Sequence, residues 1–270
     1  MMKIITAAER LQKQTGVKMA IFGQYGIGKT SLLKTLNEPT LCLDFEAGLL
    51  AVQDWKGDSI SIRTWDDARD IACLVCGANP ASKGVYGQKH YEAAKGKYQE
   101  YNLDKYKCIF IDSITIASKL CLGWCKTQPE AFSDKSGRPD VRAAYGLLAG
   151  EMSAWLNQFQ HIPDRDVVFV GLLDQKIDEF NRNVWLPQIE GTKTTTELPG
   201  ILDEVISMVA MKKDDGTGLE RKFVCRTLNA NMYPAKDRSG RLCEVEEAHL
   251  GRLIEKIKAS DKIEEKAIRK

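Results

Sequence analysis

The segment Gly23-Gln24-Tyr25-Gly26-Ile27-Gly28-Lys29-Thr30, followed by Ser31, fits G-x-x-x-x-G-K-[ST] at every fixed position. At average residue usage, a chain of this length matches that pattern by chance roughly once in a hundred. Glycines at these positions let successive main-chain N–H groups turn inward around phosphate oxygens, and a following helix adds its partial positive end. In that setting Lys29 reaches the β- and γ-phosphates and the Thr30 hydroxyl ligates Mg²⁺. ATP and Mg²⁺ are therefore the expected ligands, with Gly23 to Ser31 forming the seat. Asp112 closes the apolar run Cys108 to Ile111, as in a Walker B strand, and is the second expected magnesium ligand; Ser113 follows it directly. Asp44-Phe45-Glu46 closes another apolar run, from Leu41, and places a carboxylate where a hydrolytic base could face the γ-phosphate. A surface glutamate at a strand end is the plain alternative for Glu46, and Asp44 is the lesser candidate for the base.

These residues need strands and helices to hold them. Val17 to Phe22 is a short apolar run that leads straight into the glycine-rich segment, and Ser31 to Leu36 continues as a helix. Leu41 to Glu46 and Cys108 to Asp112 read as strands, and Val167 to Leu173 is apolar enough to lie in mid-sheet with both faces covered. Helices are predicted over Trp65 to Cys76, Ile114 to Lys126, Val141 to Phe159 and Glu246 to about Lys258, with a polar lead-in helix over Ala7 to Gln14. Thr127 to Asp140 reads as a loop and Lys176 to Gly200 as a long connection, while Asp203 to Met211 and Arg221 to Leu228 make two strands joined through Asp214-Asp215-Gly216. Strands alternating with helices imply an α/β fold with a mainly parallel central sheet flanked by helices. The expected organisation is a lead-in over 1–16, a core over 17–258 with a surface insertion at about 77–107, and a charged tail over 259–270.

In the order of its motifs the chain resembles the RecA-like branch of P-loop NTPases. It is similar in particular to phage-encoded AAA-type ATP-binding proteins, a group that includes short RecA-core single-strand annealing recombinases. The resemblance covers Val17 to about Leu253 and rests on Gly23–Thr30, Asp44-Phe45-Glu46, Cys108–Ser113 and Lys236-Asp237-Arg238. It implies that Glu46 is the general base and that Gln175, after the apolar strand, senses the γ-phosphate. Lys176 to Gly200, with Trp185 and the Thr192, Thr194, Thr195 and Thr196 cluster, would then contact DNA. It further implies that Lys236 and Arg238 enter a neighbouring subunit's nucleotide site, which makes the expected state a homo-oligomer, ring or filament. The implied activity is DNA-stimulated ATP hydrolysis on single-stranded DNA, in phage recombination, annealing or replication. A nucleotide-controlled assembly or scaffold protein with slow or no hydrolysis is the alternative.

Bulk properties restrict the partners. The 270 residues are 43% hydrophobic and 28% charged, which excludes disordered, collagen-like and coiled-coil classes. Lys plus Arg number 39 against 37 for Asp plus Glu, so any polyanion-binding surface must be local. No apolar run reaches the roughly 18 residues of a membrane span, and the start carries no signal-peptide pattern, so a cytoplasmic location is expected. Cys73-x-x-Cys76 and Cys121-x-x-x-Cys125 have zinc-like spacings but fall in apolar helical patterns, where cysteine acts as a small core residue. Two segments could meet nucleic acid. One is Thr127–Arg142 with Phe132, Lys135, Arg138 and Arg142; the other is the lysine- and tyrosine-rich insertion, which a solvated helix explains equally well.

Overall fold

A computed structural model describes residues 4–6, 9, 15–133, 136–213 and 215–259. Its core is one sheet whose parallel part is made of β1 (Lys18–Gly23), β2 (Thr40–Asp44), β3 (Asp58–Ser61), β4 (Cys108–Asp112), β5 (Asp166–Ile177) and β7 (Glu204–Lys212). Two antiparallel strands, β8 (Leu219–Val224) and β10 (Val245–Glu247), extend it at one side, giving the order β10-β8-β7-β1-β5-β4-β2-β3. Two short strands lie off this path: β6 (Asn183–Pro187) pairs with β5, and β9 (Lys236–Asp237) pairs with β7. The unbroken burial from Asp166 to Gly171 follows from β5 lying between β1 and β4 in the middle of the sheet.

Alternation along the strands sorts the core into two layers. Ala20, Phe22, Ile109, Ile111, Val167 and Phe169 face α1 (Trp65–Cys76), α3 (Ile114–Cys125) and α4 (Val141–Gln160), with Trp65 and Trp155 fully buried among them. Met19, Ile21, Phe110, Val168, Val170, Met208 and Phe223 face the other way, against Leu32, Leu33 and α6 (Leu250–Lys258). Local signals fix the helix starts. The Thr64 hydroxyl accepts from the Asp67 N–H at the head of α1, and the Asp140 carboxylate accepts from the Arg142 and Ala143 N–H groups at the head of α4.

Several elements differ from expectation. The helix behind the glycine-rich segment is a six-residue 3-10 turn, Thr30–Thr35, because Leu36 is already extended on the approach to Pro39. The stretch from Lys176 is no open connection. The β5 strand runs on to Ile177 and folds back as β6, around a turn in which Asp178 accepts from the Phe180 and Arg182 N–H groups and pairs with the Arg182 guanidinium. The threonine cluster then belongs to α5 (Thr192–Ile201). At the C-terminal side, α6 starts only at Leu250, since Val245–Glu247 pairs with β8 and His249 caps the helix. The edge strand β3, with the exposed residues Asp58, Ser59 and Ser61, lacked the apolar alternation that would mark it. Within the insertion, α2 (Gln88–Lys97) is its single helix, while Tyr86 and Tyr106 turn inward to join the core. The lead-in helix over 7–14, apart from Glu9, Asp214 of the predicted turn, and the tail beyond Ala259 lie outside the described residues.

Candidate nucleotide site

The glycine-rich segment leaves the C-terminal end of β1 between β5 and β7, where Gly23 is level with Leu172 and Met208. A crevice at the carboxyl ends of parallel strands is the usual ligand position in such sheets. Gly23 has no room for a side chain, since a β-carbon would meet the Met208 carbonyl at 2.8 Å and Ile27 at 2.9 Å. Gly26 and Gly28 turn the chain through the left-handed region at φ 72° and 97°. Tyr25, at the tip, is 89% exposed. Lys29 donates from Nζ to the carbonyls of Gly23 and Gln24, each at 3.0 Å. Burial lowers the Lys29 pKa, and the charges of Asp112 and Glu46 work in the opposite sense.

Three acidic side chains converge beside this loop. β2 and β4 are in register with Asp44 opposite Asp112, so both carboxylates stand at the same level of the sheet. Thr30, at the head of the 3-10 turn that follows the loop, donates its hydroxyl to Asp112 Oδ2 at 2.6 Å, although β5 lies between β1 and β4 in the sheet. Burial, countered by the Thr30 hydroxyl and reinforced by the charges of Glu46 and Asp44, pushes the Asp112 pKa up to about 6. The hydroxyl and carboxylate in contact are two oxygen donors of the kind a hard divalent cation takes, although among the described residues no group of three or more His, Cys, Asp or Glu side chains is gathered to hold a metal. Asp44 spends one oxygen on the main chain, accepting from the N–H groups of Glu46 at 3.1 Å and Gly48 at 3.4 Å. Glu46 instead presents Oε1 to the Ser113 hydroxyl, which donates to it. Ser113 also caps α3 by accepting from the Ile116 N–H, so one residue fixes a helix start and the Glu46 side chain together.

Other expected site residues lie elsewhere. Gln175 is exposed in the β5–β6 hairpin opposite Trp185. By strand alternation it shares the face of Phe169 and Leu173, whereas Asp174 shares that of Val168 and Val170, the face covered by Leu32 and Leu33. Lys236 and Arg238 lie near the start of β7, at the end of the sheet away from Gly23. Lys236 donates to the carbonyls of Pro199 and Leu202, and Arg238 pairs with Asp203 at 2.8 Å and donates to the Gly200 carbonyl. The fold does not bring either to its own glycine-rich loop.

One residue beside the loop had not been singled out. A β-carbon on Gly28 would overlap the guanidinium of Arg221, which β8 brings over from the antiparallel side of the sheet. The signal was present in the order Arg221-Lys222-Phe223: Phe223 is buried on the Leu32–Leu33 face, so Arg221, two residues away, points to the same side.

Comparison with known proteins adds a family. A model of the AAA domain family (AAA_24) matches residues 15–239. No curated protein matches the chain. Among solved structures, a KaiC-like protein from the hyperthermophilic archaeon Pyrococcus horikoshii is 14% identical with a TM-score of 0.37, over 83% of this chain and 84% of that one. An ATPase from the type III secretion system of pathogenic bacteria is 16% identical with a TM-score of 0.37, over 72% of this chain and 51% of that one. With a family model spanning most of its length and a phosphate-loop motif at the head of a mainly parallel sheet, the protein belongs to the AAA domain family and is of the P-loop ATPase type.

Proposed function

We propose that the protein hydrolyses ATP in a magnesium-dependent reaction at the Gly23–Ser31 loop. The contact of Thr30 with Asp112, beside a Glu46 held by Ser113, carries this reading. Main-chain N–H groups of the loop bind the phosphates, and Lys29 exchanges its two carbonyl partners for phosphate oxygens. Thr30 and Asp112 are the residues that would hold Mg²⁺, which offsets charge on the β- and γ-phosphates when bound. Glu46 takes the proton of the attacking water, and the Ser113 hydroxyl keeps that carboxylate turned toward the site. Asp44, committed to the Glu46 and Gly48 amides, sets the turn from which Glu46 projects.

Fluorescent-nucleotide binding and phosphate release test the reading. Lys29→Ala should abolish measurable ATP binding. Glu46→Gln should keep binding and lose about 10²- to 10⁴-fold in turnover. A wild-type protein that binds ATP but turns over no faster than Glu46→Gln would instead support a nucleotide-controlled scaffold. Failure of the wild type to bind Mg-ATP would end both readings.

Single-stranded DNA is the partner we favour. Its support is the Phe132–Tyr145 region, where Phe132 is 38% and Tyr145 39% exposed, and where Arg138 and Arg142 form no ion pair among the described residues. The insertion supports it less, because Tyr86 and Tyr106 are core residues and Lys97 and Lys105 pair with Asp67, Asp70 and Asp58. A role in phage recombination or annealing, with a ring or filament completing each nucleotide site through Lys236 and Arg238, extends this proposal. Insertion of Arg238 into a neighbour requires it to leave Asp203 and Gly200.

A further inference from the structure

Arg221 is the one cation of the Glu220-Arg221-Lys222 run without a partner. Lys222 pairs with Glu220 at 3.0 Å, whereas Arg221 makes no hydrogen bond or ion pair among the described residues. Yet it is directed: Phe223 anchors that face of β8 in the core, and the cross-strand neighbour of Arg221 is the small Ala210, so the long side chain lies along the sheet toward β1 without obstruction. It ends where Gly28 lacks a side chain, next to the residue that precedes Lys29. An unpartnered guanidinium beside a glycine-rich loop of the phosphate-binding pattern suits a bound phosphate, because its fork of N–H donors matches phosphate oxygens.

We propose that Arg221 contacts a phosphate of the nucleotide seated on its own chain's loop and thereby supplies in cis the arginine charge that stabilises phosphoryl transfer. The inference rests on the reading of Gly23–Ser31 as the nucleotide seat. It gives the antiparallel β7–β8 hairpin a role in the site: β7 lines the loop at Gly23, and β8 delivers the cation. It also separates the site from Arg238, which is occupied at the other end of the sheet.

The test uses the full chain with Mg-ATP and Mg-ADP. Arg221→Ala should weaken nucleotide binding roughly tenfold or more, as expected for a lost charged hydrogen bond, and Arg221→Lys should restore part of the loss. Turnover should fall further than binding, and trapping of ADP with aluminium fluoride should be lost. Thermal unfolding without nucleotide should match wild type, because Arg221 holds nothing else in place. Mixing Arg221→Ala with Lys29→Ala chains should restore no turnover, since an arginine acting in cis cannot serve a neighbour's site. Rescue on mixing would overturn the cis assignment. Wild-type binding and turnover by Arg221→Ala, in a protein where Lys29→Ala abolishes binding, would overturn the inference alone. No nucleotide binding by the wild type would overturn the site as well.

Discussion

Glu204, at the start of β7, is fully buried, and its Oε2 finds no hydrogen-bond partner among the described residues. Burial, with the Asp237 carboxylate beside it, pushes its pKa up to about 8 from an ordinary value of 4.5. The folded protein therefore holds a proton that the unfolded chain releases above 4.5. That proton stabilises the fold fully at low pH, and the contribution is lost progressively as pH rises to about 8 and is flat beyond. Melting temperature should drop across this range by roughly 5 °C or more, and Glu204→Gln, which cannot ionise, should remove that part of the slope. A slope unchanged in the variant would show that Glu204 is already charged in the fold. Single residues were legible in the sequence to different degrees. Lys29, Thr30 and Asp112 follow from spacing and strand ends alone. Arg221 was signalled by its two-residue spacing from the buried Phe223, but its place beside Gly28 required β7 to lie next to β1, and the position of Gln175 was hidden because β5 runs past the sheet edge into a hairpin.

Elements announced themselves where local chemistry was strong. Thr64 with Asp66 and Asp67 at one end and Gly77 at the other bracket α1 from Trp65 to Cys76, as predicted. The hairpin after β5 was missed because its turn depends on Asp178 and Arg182 side chains rather than on a glycine pair. The 3-10 turn Thr30–Thr35 is too short to stand alone and is held from outside. The Thr35 hydroxyl accepts from the Leu250 N–H at 3.0 Å, and a β-carbon on Gly251 would collide with the Thr35 carbonyl. Gly251→Ala should therefore push α6 away from the turn that carries Thr30. Loss of about 1–3 kcal/mol in denaturant unfolding is expected, together with several-fold weaker ATP binding. Undisturbed ATP affinity in a destabilised variant would show that α6 does not support the phosphate seat.

At the scale of the molecule, the two ends of the sheet divide the work. The carboxyl ends of β1, β2 and β4 carry Gly23, Asp44 and Asp112, while the opposite end holds Lys18, Asp203 and Arg238 in a polar network. Among the described residues no helix is long and apolar enough to cross a membrane. With charge nearly balanced, the proposed single-stranded DNA partner would have to meet a local surface, and on that proposal stimulation of turnover should depend on Phe132, Arg138 and Arg142. Phe132→Ala should cost about 1–3 kcal/mol of DNA affinity, and removing both arginines should flatten the salt dependence. Turnover that ignores DNA at low salt would remove this partner. The α/β class and the parallel core were readable from strand-helix alternation. Of the antiparallel flank, β7 and β8 were readable as two strands joined by a turn, while β10 became visible only once it was paired with β8 in space.

The bond between Thr35 and Leu250 joins groups 215 residues apart. A chain emerging from the ribosome exposes its glycine-rich loop early, but the clamp behind that loop is synthesised far later. Until Leu250 arrives, the turn that carries Thr30 lacks its brace, so the proposed nucleotide seat gains this support only after Leu250 has been added to the chain.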